Sequence, residues 1–140
     1  MAGYSGTPLP QKLGIKLGVT IAVINAPGNY RKLLGPIANE LKFSERAGNQ
    51  AEFVHLFVTS RSELDKNLRQ LRRKIAPAGT VWVSWPKKSA GVHTDVTEDV
   101  IRAVALPLGF VDVKVCAVDE IWSGLKLMIR REHRPTANKK

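Results

Sequence analysis

Asn25, Gly28, Tyr30, Ser60, Arg61, Trp85, Lys87, Lys88, Asp119 and Trp122 have the types and the placement to do chemistry. Most of them end or follow a segment that reads as a β-strand. In an open α/β sheet, ligands bind beyond the carboxyl ends of the strands. Arg61, Lys87 and Lys88 would attract an anion. Asn25 and Ser60 offer amide and hydroxyl groups, and Asp119 a carboxylate. Tyr30, Trp85 and Trp122 could wall or stack a planar ligand. Asn25-Ala-Pro-Gly-Asn29 stands where a nucleotide-binding glycine loop would stand. Arg61 falls in the first turn of a helix, where the dipole disfavours a cation, which hints at an anion nearby, although a solvated Arg is the favoured reading. The expected arrangement puts Arg61 and Lys87 or Lys88 in one cleft, with Tyr30 or Trp122 on its wall, suited to a planar anion. The competing arrangement sends the lysines into solvent and packs the aromatics under residues 4–9.

Other chemistries lack their residues. His55, His93 and His133 are dispersed and share no metal-ligand spacing with Cys116. His55 lies inside an apolar run and reads as a core histidine. No serine elbow, Gly-Lys-Ser/Thr phosphate loop or catalytic carboxylate pair is present.

The elements that must position these residues are centred on residues 51–86. Residues 53–59 are almost continuously apolar, as in a strand covered on both faces. Leu64, Leu68, Leu71 and Ile75 recur at helical spacing over 61–76, opposite charged positions. Ser60 and Glu63 form a capping box, and Pro77 and Gly79 end the helix. Residues 80–85 are again apolar and β-rich. Two parallel strands joined by such a crossover make a Rossmann-like unit.

Upstream, residues 1–18 read as a loop segment and 19–25 as a buried strand. A short helix spans 30–34 and is broken by Gly35-Pro36. A short edge strand falls at 41–45. Downstream, Asp95 and Glu98 suggest a second capping box, opening a helix to Leu108 with Val100, Ile101, Val104 and Leu108 facing the core. Residues 111–118 alternate, with Val111, Val113, Val115 and Ala117 on one face. A turn too short for a crossover leads to the last strand, 125–131, so these two pair antiparallel. The expected architecture is a three-layer Rossmann-like α/β sandwich. Its sheet is mostly parallel, with a C-terminal antiparallel hairpin and strand order 2-1-3-4-6-5. Residues 1–132 would form a single domain and 133–140 a disordered basic tail.

The chain has 140 residues, a net charge of +10 and one cysteine. The charge favours anionic partners. The lone Cys116 excludes an internal disulfide and suits a reducing cytosol. No run reaches the roughly 18 apolar residues of a membrane span, and the start lacks a signal-peptide pattern.

The element order resembles the class I methyltransferase fold. The resemblance rests on Phe53-Val-His-Leu-Phe-Val58, on Leu71-Arg-Arg-Lys-Ile-Ala-Pro-Ala-Gly-Thr-Val-Trp-Val83, and on Gly109-Phe110 before the hairpin. These segments look like the fourth, fifth and last two strands of those enzymes. Where that family shows Gly-x-Gly-x-Gly, this sequence has only Gly28, and the family's acidic residue after the second strand could only be Glu45. Over nearly its full length the chain also resembles a bacterial family of small proteins classed as a domain of unknown function. That resemblance is carried by Tyr4-Ser-Gly-Thr-Pro-Leu9, Val81-Trp-Val-Ser-Trp-Pro-Lys87 and Asp119-Glu-Ile-Trp-Ser-Gly-Leu-Lys126. It implies a bacterial, cytoplasmic α/β domain and no known activity.

With one glycine in the loop, the expected function is a non-catalytic module that binds an anionic small molecule or an acidic protein. The alternative is a transferase using a nucleotide-type cofactor such as adenosylmethionine. Nucleic-acid binding through the basic surface ranks third, because no groove-reading element is visible. No membrane partner is expected.

Overall fold

The computed structural model describes residues 7–134. Strand β3 (Ala51–Phe57) runs through helix α3 (Arg61–Lys74) into β4 (Ile75–Pro86), as the apolar runs and the capping box require. Ser60 Oγ accepts the Glu63 N–H at 3.2 Å and fixes the helix start. The helix ends earlier than its proline and glycine suggest. Ile75 is already extended and pairs with Ala51, and a bulge follows before Phe53 meets Thr80. Gly79 is required there: a Cβ on it would lie 2.8 Å from the Ala51 carbonyl oxygen.

Strands β1 (Thr20–Ile24) and β2 (Lys42–Ser44) extend the sheet in parallel, and β5 (Phe110–Ala117) and β6 (Trp122–Ile129) close it with the antiparallel hairpin. The order is β2-β1-β3-β4-β6-β5, with β6 inserted antiparallel between β4 and β5. Helices cover both faces. On one, Leu64, Leu68 and Leu71 of α3 and Ile101, Val104 and Ala105 of α4 (Glu98–Ala105) pack on Val54, Leu56, Val81, Val83, Leu125 and Leu127. On the other, Leu13 of α1 (Leu9–Leu13) and Tyr30 and Leu34 of α2 (Tyr30–Leu34) pack on Ile21, Val23, Phe53, Phe57 and Trp82. This is the three-layer Rossmann-like arrangement expected from the element order.

Three local expectations are corrected. Helix α1 replaces part of the expected loop at residues 1–18. Pro10 sits in its first turn, where a missing N–H costs nothing, and the Leu13 carbonyl accepts from Trp82 Nε1 at 2.9 Å. The cap of α4 is Thr97, whose hydroxyl accepts from the Val100 N–H at 3.2 Å. Asp95 does not open that helix. Its Oδ1 accepts the Arg61 N–H at 2.7 Å, so it caps α3 from a distant loop. Finally, the valines of β5 do not form a buried face: Val113 and Val115 are exposed, on an edge strand whose register shifts between Asp112 and Lys114. Arg131–His133 form a 3-10 turn, and the calls on residues 1–6 and 135–140 fall outside the described residues.

Candidate functional site

Strand β1 ends at Ile24, and the chain must then turn sharply toward α2. Asn25 makes this turn in the left-handed region, at φ 59°, a conformation Asn tolerates better than most residues. Its Nδ2 donates to the Phe57 carbonyl at 3.3 Å, tying the turn to the end of β3. Gly28 keeps a negative φ, and a Cβ there would meet nothing within 4 Å. The work of a glycine at the strand end is therefore done by Asn25. Beside this turn opens a cleft of about 370 Å³, lined by Val23, Ala26, Pro27, Gly28, Tyr30, Arg31, Phe43, Ser44 and Glu45. That size falls in the range of small-molecule sites. Its floor comes from β1 and its far wall from β2. Glu45, the residue after β2, is exposed at the rim. Arg31 places its guanidinium 4.6 Å over the Phe43 ring on the same wall.

Behind the cleft lies a buried polar chain. Tyr30 Oη bonds His55 Nδ1 at 2.9 Å, and His55 Nε2 bonds Ser84 Oγ at 2.7 Å. His55 and Ser84 are fully buried. Burial lowers the His55 pKa to about 3, so the ring is neutral, with one donor and one acceptor nitrogen. One hydroxyl therefore donates to it and the other accepts. Burial also raises the Tyr30 pKa. The Tyr30 ring meets His55 and Phe57 edge-on at 5.3 and 5.6 Å, and His55 stacks on Phe57 at 4.3 Å. The buried pair thus sets the position of an aromatic that also walls the cleft. His55 is the core histidine its sequence context implies. Its partner Ser84 carried no signal in the sequence beyond its place in an apolar run.

The structure brings Gly28 and Tyr30 into this cleft, directly after Asn25. The remaining expected site residues lie elsewhere. Ser60 is occupied as a helix cap. Arg61 heads α3, in the layer opposite α2, with an exposed side chain, and its backbone N–H is taken by the chain's own Asp95. Trp85 is buried among the core residues. Asp119 Oδ1 accepts the N–H groups of Ile121 and Trp122, both at 2.8 Å, and so shapes the β5–β6 turn. Trp122 packs edge-on against Phe57 at 5.0 Å. Lys87 is half-buried and Lys88 exposed, and neither they nor Arg61 line any of the best-formed clefts. The expected common cleft is not among them: Arg61 stands in the layer opposite Tyr30 and Trp122, and Lys87 is tied by its backbone N–H to the Ile121 carbonyl at 2.7 Å. Glu45 is the residue left out of the expected set, and its position one step beyond β2 was the signal. Cys116 is half-buried, and burial raises its pKa against the opposing charges of Lys12 and Lys114, so it is no activated thiolate. Among the described residues there is no group of metal-ligating side chains, and no helix is long and apolar enough to cross a membrane.

No protein-family model matches the chain, and no curated protein matches it. Solved structures do. A protein of Sulfolobus solfataricus described as a type 11 methyltransferase superposes with a TM-score of 0.61 at 13% identity, over 94% of this chain and 95% of that one. A SAM-dependent methyltransferase of Aquifex aeolicus gives a TM-score of 0.58 at 17% identity, over 86% and 87%. A structure described as PigF with SAH gives 0.58 at 7% identity, over 89% and 62%. At such identities the likeness is one of fold. It nevertheless overturns the expectation of a non-catalytic binding module. That expectation rested on the missing glycines, yet the sheet and the turn after β1 form without them, in the fold of catalytic methyltransferases.

Proposed function

We propose that this protein is a SAM-dependent methyltransferase whose cofactor occupies the cleft between the ends of β1 and β2. The observation that carries the reading is the meeting, in one cleft, of Ala26, Pro27 and Gly28, which follow the left-handed turn at Asn25, with Glu45. The residues present fit the group. A carboxylate after the second strand accepts hydrogen bonds from ribose hydroxyls. The turn offers the backbone N–H groups of Ala26 and Gly28, while Pro27 has none to give. Val23, Tyr30 and Phe43 provide apolar walls that exclude water from part of the cleft. Arg31, held over Phe43, places a cation at the rim. When bound, SAM supplies an electrophilic methyl group on a sulfonium sulfur. The chain's own part is to bind, orient and shield. The small bacterial family that the sequence resembles would then share this activity, and the lone Cys116 suits the cytosol.

The test is a thermal-shift titration with SAM, SAH and ATP. SAM and SAH at about 100 times Kd should stabilise the fold by about 2.7 kcal/mol. Glu45→Gln, an exposed position, should weaken SAM about tenfold, or about 1.4 kcal/mol, and leave the melting temperature of the ligand-free protein unchanged. No shift with either SAM or SAH would overturn the reading.

A further inference from the structure

Ion pairs join Arg69 to Asp65 and Arg102 to Glu98, Asp99 and Asp112. The remaining cations are not spread evenly. Arg72, Arg130, His133 and Arg134 come together around the turn at Gly109, where α4 hands over to β5, and exposed Arg73 and Arg131 stand next to them in the chain. Arg72 Nε donates to the Leu108 carbonyl at 2.9 Å, and the Arg130 N–H donates to the Gly109 carbonyl at 2.9 Å. Arg134 Nε donates to the Ile129 carbonyl at 2.9 Å. A Cβ on Gly109 would lie 2.8 Å from His133 Nδ1 and 3.1 Å from Arg72 Nε, so both side chains reach one point. Among the described residues, none of the six has a carboxylate within 4.0 Å. The nearby Asp112 is committed to Arg102, and Glu132 is the one acid inside the 130–134 segment.

Two of these guanidinium groups, those of Arg72 and Arg134, are held in place by a carbonyl at Nε, and no carboxylate takes up their Nη groups among the described residues. A fork without a carboxylate partner is suited to bidentate recognition of phosphate. No aromatic side chain is interleaved with the six, so backbone contact is favoured over base stacking. We propose that this surface binds the phosphodiester backbone of a nucleic acid. It lies at the end of β6, which runs antiparallel to β4, and hence at the sheet edge opposite the cleft. It anchors a polyanion away from the cleft, and it does not depend on the SAM reading, which the separate cofactor titration tests.

The experiment is fluorescence anisotropy of the full chain with a labelled 20-nucleotide single-stranded RNA and a labelled 20-base-pair DNA duplex. Four phosphate contacts should weaken RNA binding about 50-fold between 50 and 200 mM salt, a log–log slope near 3. Arg73→Glu with Arg131→Glu, both exposed, should lower affinity at least tenfold and cut the slope by roughly one for each lost contact. Lys66→Glu, exposed on the same helix, should leave both unchanged. Arg134→Lys should cost affinity several-fold at an unchanged slope. The tighter arm identifies the source as RNA or DNA. No binding of either at about 50 mM salt would overturn the proposal. So would an equal loss in Lys66→Glu, or polyglutamate competing as well as RNA, which would indicate an acidic protein.

Discussion

Helices α3 and α4 cover one face of the sheet with 14 and 8 residues, whereas the other face carries α1 and α2, of 5 residues each. The first face is mostly aliphatic, with Trp85 and Phe110 its two rings, and its helices are capped by side chains of their own or neighbouring segments. The second is aromatic and holds the buried Tyr30–His55–Ser84 chain. Short helices bury little area of their own, so that face depends on large rings and internal hydrogen bonds. It is also the face that borders the cleft. The aliphatic packing and the cleft therefore lie on opposite sides of one sheet, and β3 serves both with alternate residues.

The largest expected effect tests the aliphatic side. Leu68 is fully buried on α3, so Leu68→Ala should cost about 2–5 kcal/mol in denaturant unfolding, with SAM affinity unaffected in the protein that remains folded. A loss below about 0.5 kcal/mol would place Leu68 at the surface.

The next effect belongs to the aromatic side. The folded pKa of His55 is about 3, depressed by burial from 6.5. Above the unfolded value neither state binds a proton there. Between about 6.5 and 3 the unfolded chain binds one that the folded chain does not. Stability should therefore fall as pH drops through this window, by about 1.4 kcal/mol per unit. His55→Gln should flatten the slope between pH 6.5 and 5, above the range where most carboxylates titrate. An unchanged slope would assign it to other groups.

The smallest effect sharpens the contrast. Tyr30→Phe removes one hydroxyl from the buried chain and leaves His55 Nδ1 without its partner, at a cost of about 1–3 kcal/mol. Because Tyr30 also walls the cleft, SAM affinity should fall with it, whereas Leu68→Ala spares it. Equal effects of the two substitutions on affinity would erase the division between the faces.

The strand order was legible because the terminal hairpin is too short for a crossover and the central runs are apolar on both faces. Helix α3 was legible from its leucine spacing and from Ser60 with Glu63. Helix α1 was not, because Pro8 and Pro10 read as loop residues, although proline is compatible with a first helical turn. Asp95 was misleading because a carboxylate three residues before Glu98 mimics a capping box, while its true partner is 34 positions away. The valines of β5 alternate as a buried strand does, but an edge strand has no layer to cover them. At the end of β1, the count of glycines did not show the shape of the turn. The turn needed one residue able to adopt the left-handed region, and Asn25 is such a residue.

The insertion of β6 between β4 and β5 has a consequence for synthesis. Chain order and sheet order part company there: β5 leaves the ribosome first yet has no strand to join until β6 follows. Until residues 122–129 emerge, the edge of β4, with buried Val81 and Val83, stays open to any other strand in reach. The nascent protein is most vulnerable to aggregation in that interval, and closing the hairpin ends it.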